Sequence, residues 1–454
     1  MKARSNGMAD AIDTHEIPRG DGPVLLANAT LPSAVTAGIL NHIGDGLGRA
    51  DILIDKGEVA AIAPCGELID DGGAARIDLD GGLVLPGLVD MHTHLDKGHI
   101  WARRPNPNGS FDGALEAVKS DREAQWSADD VRRRMSFALA CAHAHGTVLM
   151  RTHLDSIPPQ DGISWEVFKD VRRDWADRID LQASALFGID GLEDPAFLPA
   201  IADRVAEAGG VLGAVTFMID GLEAHVEAMF RAAQVRGLAL DFHVDETADP
   251  NADSLRIIAE TAIRTRFSGQ IVCGHCCSLA RQADDAVDRT LDLVARAGIG
   301  VVSLPLCNMY LMDRAGGRTP RWRGVTLLHE MKARGIPVAV ASDNTRDPFY
   351  AYGDLDMVEV YAQAVRILHL DHPSGDWIRA ATSTPAGLLG DSTRGRLDVG
   401  SPADMIVFRA RNWNELIARP GGARTVLRGG RAISRTLPDY RELDDLMASK
   451  DLGI

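Results

Sequence analysis

The chain has 454 residues, 45% of them hydrophobic and 25% charged, and a net charge of -16. That length can bury a large core and suits one large domain with an accessory one, and the composition is neither disordered nor collagen-like. The negative charge argues against a nucleic acid partner and for a small or neutral ligand; no run reaches the about 18 apolar residues of a membrane span, so no membrane partner is expected.

Residues 1–22, MKARSNGMADAIDTHEIPRGDG, carry charges of both signs and no apolar run, which reads as a loose tail and not as a secretory signal. Six cysteines without paired spacing, CGHCC at 273–277 included, point to a reduced, cytoplasmic protein. Residues 23–81 (VLLANATL, ADILIDKGEVAAIAP, ARIDLDGG) read as short β segments, and so does 391–454 in GRLDVGSPADMIVFRA and TVLRGGRAI, with a C-terminal tail after them. The two ends are expected to build one small β-sandwich domain.

Between them, over 82–390, apolar runs alternate with helical stretches. The runs are GLVLPGLVDM (82–91), TVLMRTH (147–153), DLQASALFG (180–188), LGAVTFM (212–218), LALDFHV (238–244), QIVCGH (270–275), GIGVVSLP (298–305) and IPVAVASDN (336–344). Their spacing of about thirty residues is one βα unit each, and continuously apolar strands imply a parallel sheet covered on both faces. The expected fold is therefore α/β, a (β/α)8 TIM-like barrel, with an open doubly wound sheet as the alternative.

Active sites of such barrels collect at the C-terminal strand ends. There the chain places His92 and His94, His153, His243 with Glu246, His275, and Asp343 with Asn344. The HxH pair puts two imidazoles on one side of a strand, because side chains alternate with period two. A third imidazole and a carboxylate complete a zinc or ferrous set that keeps a position open for water. The tetrapeptide THLD occurs at 93–96 and again at 152–155, but Arg151 replaces the extra histidine in the second copy, so only the first is read as a metal site. A second HxH, in AHAHG (142–146), lies in a helical pattern where i and i+2 diverge.

HTHLDK with the preceding PGLVD, HVDE (243–246), GH (274–275), SDN (342–344), SLPLCNMYL (303–311) and DNTRDPFYAYGDLDM (343–357) together resemble the cytosine deaminase branch of the amidohydrolase superfamily. The resemblance implies one divalent ion, Zn2+ or Fe2+, held by His92, His94, His243 and Asp343. It makes Glu246 the proton shuttle and His275 the residue that positions the attacking water, with Asp343 also accepting a proton. Binuclear members carry a bridging lysine on strand four; GAVTFMIDG has none. Relatives often form homo-oligomers, and the same is expected here.

The implied reaction is hydrolytic deamination of a small heterocycle. Ile189 stands where cytosine deaminases place a glutamine, Asn344 where a second Asp is common, and Phe349 where a Trp is usual, so cytosine itself fits poorly. Lys97, in HLDK, is similar to the lysine of enzymes acting on N-alkylaminotriazines, and His153 is a candidate substrate contact. The expected substrates are a cytosine-like pyrimidine or an aminotriazine. Opening of a cyclic amide, which normally wants the bridging lysine, and a silent metal-binding barrel are the alternatives.

Overall fold

The computed structural model describes Ile17 and residues 22–38, 40–68 and 73–448, so most of the expected N-terminal tail lies outside the described residues. The fold is α/β, and the chain divides into two compact units, Met1–Leu85 with Leu397–Arg435, and Pro86–Arg396 with Thr436–Ile454. All six cysteines are unpaired.

The first unit contains β1 (Val24–Pro32), β2 (Asn41–Gly44), β3 (Leu47–Asp55), β4 (Glu58–Pro64), β5 (Ala75–Asp78) and β6 (Val84–Pro86). One sheet runs β2-β3-β1-β5 with β4 on β3, and a second joins β6 to Met405–Phe408, Arg424–Arg428 and Arg431–Ala432. Apolar residues of both chain ends, among them Leu26, Leu31, Ile52, Met405 and Val407, share one buried cluster. Each such side chain contributes about 1.5–3 kcal/mol by leaving water.

The second unit carries β7 (Leu88–Thr93), β8 (Thr147–Asp155), β9 (Asp180–Leu186), β10 (Leu212–Thr216), β11 (Leu240–Val244), β12 (Ile271–His275), β13 (Gly300–Ser303) and β14 (Val338–Val340). They form two parallel sheets, β7-β8-β9 and β10 through β14 in order. Isolated parallel bridges Ser184↔Val211 and Gly188↔Val215 link the β9 and β10 sides, and Thr93↔Asp343 links β7 to the segment after β14. Every expected apolar run contains a strand. The first run differs: 82–91 breaks into β6 and β7 at Pro86-Gly87, where a Cβ on Gly87 would lie 2.2 Å from Val148 Cγ1.

Two helices follow β7, α1 (Phe111–Gln125) and α2 (Ala128–His145), each capped by a serine side chain, and AHAHG lies at the end of α2 as expected of a helix. Residues 436–448, in the stretch read from the sequence as a C-terminal tail, group with the second unit. The reason is local packing: Leu443 joins Phe137 and Cys141 in a buried cluster, and Arg133 pairs with Asp445. Beneath the strand ends, Val89, Met91, Val148, Leu149, Val272 and Val302 form the unit's buried floor.

Candidate metal centre

The strand ends converge as their register dictates. Thr93 of β7 is level with Thr152 of β8, and β11 sits beside β12 with His243 opposite Gly274. That glycine admits a neighbour's ring: a Cβ there would stand 3.0 Å from His92 Cε1.

His92, His94 and His243 bring ligand atoms within 4.8 Å of one another, as do His92, His275 and Asp343. The Nε2 of His243 is 3.1 Å from that of His92 and 3.4 Å from that of His94. Asp343 Oδ1 is 3.1 Å from His94 Nε2 and 3.6 Å from His92 Nε2. Four donors around an ion at about 2.0–2.2 Å stand about 3.3–3.6 Å apart in a tetrahedron, so this spacing fits one zinc or iron ion.

The electrostatics fit as well. Burial drives the imidazoles of His92, His94 and His243 well below the ordinary histidine range, which keeps them neutral, the form that binds a metal. Burial pushes the Asp343 carboxyl up to about 8, and both its oxygens lack hydrogen-bond partners. A cation at this point satisfies both conditions at once.

Backbone strain sets two of the directions. Asp343 (φ 66°) and His275 (φ 68°) occupy the left-handed region, which costs about 1–3 kcal/mol for a non-glycine residue. The Asp343 amide donates to the His92 carbonyl at 2.9 Å, and Asp90 accepts from the backbone and hydroxyl of Ser342. These bonds hold the segment after β14 against β7.

Glu246, His275, Asn344, Lys97 and Phe349 line a cavity of about 440 Å³ together with His94, His243 and Asp343. Burial, then the nearby Asp343, raises the Glu246 carboxyl well above the glutamate range. Burial brings His275 down to about 3. Burial opposes the charge of Lys97, but Asp155 and Asp96 overcome it and hold the ammonium above the ordinary lysine value. Asn344 is buried and donates to Asp347 Oδ2 at 2.7 Å.

Two expected substrate contacts stand elsewhere. His153 does not line the cavity: its fully buried ring lies 4.0 Å from the ring of His92, centroid to centroid. Ile189 is fully buried, and its neighbours Phe187 and Gly188 face the cavity in its place. The loop after β9 turns at once into a short 3-10 helix, Ile189–Glu193, which carries Ile189 inward.

Sequence reasoning passes over Asn308 and Asp155. The Asn308 amide donates to Glu246 Oε1 at 3.0 Å and lies 2.9 Å from His275 Nδ1, bridging the two. It sits in SLPLCNMYL, a stretch that otherwise shows only resemblance. Asp155 pairs with Lys97 at 3.0 Å and Arg122 at 2.7 Å.

Three neutral imidazoles and a carboxylate at the C-terminal ends of parallel strands, facing a cavity with an acid and a further histidine, fit a metal-dependent hydrolase site. The chain belongs to the amidohydrolase family, whose model matches residues 75–172 and 196–433. It is a hydrolase of carbon–nitrogen bonds, related to deaminases. A pterin deaminase of Rhizobium rhizogenes is 55% identical over 94% of this chain and 97% of its own length. An N-isopropylammelide isopropyl amidohydrolase of a Pseudomonas species is 24% identical, covering 79% of this chain and 87% of its own. A 5-methylcytosine deaminase structure from Klebsiella pneumoniae, with 5-fluorocytosine bound, superposes with a TM-score of 0.79 at 24% identity, covering 92% of this chain and 98% of its own. Among the described residues no helix is long and apolar enough to cross a membrane.

Proposed function

We infer that this protein is a metal-dependent deaminase of pterins, which replaces the exocyclic amino group of a 2-amino-4-oxopteridine by oxygen. The observation that carries this reading is the 55% identity to a pterin deaminase over nearly the full length of both chains. The cavity of about 440 Å³, walled by Phe111, Phe187, Phe217 and Phe349, is roomy for a bicyclic ring and supports the same reading. We take the eight parallel strands to close as a (β/α)8 barrel, their two sheets joined by the isolated bridges, and the first unit to be a β-sandwich built from both chain ends.

His92, His94, His243 and Asp343 hold one divalent ion, zinc or ferrous iron. When bound, that ion lowers the pKa of a water from about 15.7 to about 7 and polarises the reacting carbon's surroundings. The residues around it manage protons and position. Glu246, kept protonated by burial and by Asp343, gives its proton to the ring nitrogen beside the amino-bearing carbon, which makes that carbon more electrophilic. It then takes one proton of the attacking water and passes it to the departing nitrogen, and it recovers the other when the new C–OH collapses to the carbonyl. His275 orients the attacking oxygen through Nε2, which has no partner, while Asn308 holds its Nδ1 side and Glu246 together. One C–O bond forms, the C–NH2 bond breaks, and ammonia leaves. Lys97 donates to the ring's oxo oxygen, beside the Phe349 ring 5.5 Å from its Nζ.

The test is turnover of pterin by purified, metal-loaded protein, read as the absorbance change to the dioxo product with stoichiometric ammonia. Hydrolysis of N-isopropylammelide or a substituted cytosine without turnover of pterin would move the reading to those substrates. Ring opening, the cyclic amide reaction, releases no ammonia and is separated by the same assay.

A further inference from the structure

The two THLD copies begin level, Thr93 at the end of β7 opposite Thr152 of β8, and their last residues bond to each other: the Asp155 amide donates to Asp96 Oδ2 at 2.8 Å. Asp96 is fully buried and also meets Ser164 Oγ at 3.3 Å. The end of β8 is thereby fixed, and with it the Asp155 carboxylate. Its Oδ1 takes Lys97 Nζ at 3.0 Å, and its Oδ2 takes the Arg122 guanidinium at 2.7 Å. Lys97 projects from the loop after β7, and Arg122 from the cavity side of α1. An ammonium has three donors, and Asp155 uses one, which leaves two for a ligand.

We propose that Asp155 is a positioning residue for substrate, aiming Lys97 into the cavity and tying it through Arg122 to helix α1. This inference rests on the proposed contact between Lys97 and the oxo oxygen of the heterocycle. A lysine has a four-carbon stem and high rotamer freedom, so a single buried carboxylate decides where its charge stands. Interposed between the lysine and α1, Asp155 also makes the register of β8 part of substrate recognition. The second THLD copy serves binding through its aspartate, where the first serves the metal through its histidine.

The experiment measures kcat and KM for pterin, with metal content and thermal midpoint, in Lys97→Met, Asp155→Asn and the double variant. Asp155→Asn is expected to raise KM about ten- to hundredfold, one charge-assisted hydrogen bond's worth, with kcat and metal content near wild type. The double variant is expected to match Lys97→Met alone, because Asp155 acts through the lysine. It also leaves no unpaired lysine charge in the core, so it stays informative if Asp155→Asn alone folds poorly. Multiplying effects in the double variant, or an unchanged KM in Asp155→Asn beside an impaired Lys97→Met, would overturn the positioning role and leave the pterin reading standing. A wild-type KM in Lys97→Met would remove the lysine contact and this inference with it.

Discussion

The ends of β7 and β8 carry the same four residues, with Thr93 level with Thr152, yet only the first is proposed to hold a metal. On β7 the residue two before the shared histidine is His92, whose imidazole joins His94 and His243. On β8 it is Arg151, whose guanidinium pairs with Asp241 Oδ2 at 2.8 Å and Gln182 at 2.9 Å. Asp241 and His153 could otherwise add to His92 as a second ligand group. A fixed positive charge against that carboxylate disfavours a second cation there. The chemistry of the motif is therefore set by its neighbour on the same face of the strand, not by the tetrapeptide.

The comparison breaks most sharply at the two histidines. His94→Ala is expected to lose the metal and with it detectable deamination, since a ligand of the set is gone. His153→Phe, which keeps a flat ring against His92, is expected to retain close to one metal equivalent and most of its activity. Elemental analysis beside an ammonia assay separates them, and loss of the metal in both would erase the distinction drawn between the strands. Two equivalents in the wild type would show that the β8 side also binds.

Next in size is Glu246→Gln, which is isosteric and touches no proposed metal ligand, so the ion is expected to stay. Turnover should fall about 100- to 10,000-fold, the usual contribution of a positioned general acid or base. Unchanged kcat with pterin would exclude the shuttle. Asn308→Ala, which frees Glu246 and His275 from their common tether, is expected to lower kcat about ten- to hundredfold, equivalent to one hydrogen bond to a charged or reacting group. A rise in KM alone would assign Asn308 to binding.

What the sequence discloses follows from how local each signal is. Eight apolar runs are visible because a strand covered on both faces leaves a continuous hydrophobic trace, and HTH is visible because strand periodicity makes two ligands from one tripeptide. Asn308 and Asp155 are hidden because their partners lie 62 and 58 positions away for Glu246 and Lys97, and nothing local marks a polar residue as half of such a pair. Ile189 is expected at the substrate from the resemblance and His153 from its strand end, but a one-turn helix carries the first inward and both side chains are fully buried. The proposed bicyclic substrate has no motif of its own; the cavity that would select it draws its walls from α1 and the loops after β9 and β10.

The smallest expected effects lie in the hydroxyls that stitch the two copies together, and they too are unequal. Both threonines are fully buried. Thr152 Oγ1 accepts from the Leu95 amide at 2.9 Å, whereas Thr93 Oγ1 donates to the Arg151 carbonyl at 3.0 Å. Thr152→Val strands a buried N–H beside the proposed ligand His94, at a cost of about 1–3 kcal/mol. Thr93→Val takes one donor from a carbonyl, and buried carbonyls tolerate under-satisfaction better than amides do. The thermal midpoint should therefore drop further in Thr152→Val than in Thr93→Val. An equal or reversed order would mean that the polar stitching is symmetric, and that His92 against Arg151 alone distinguishes the strands.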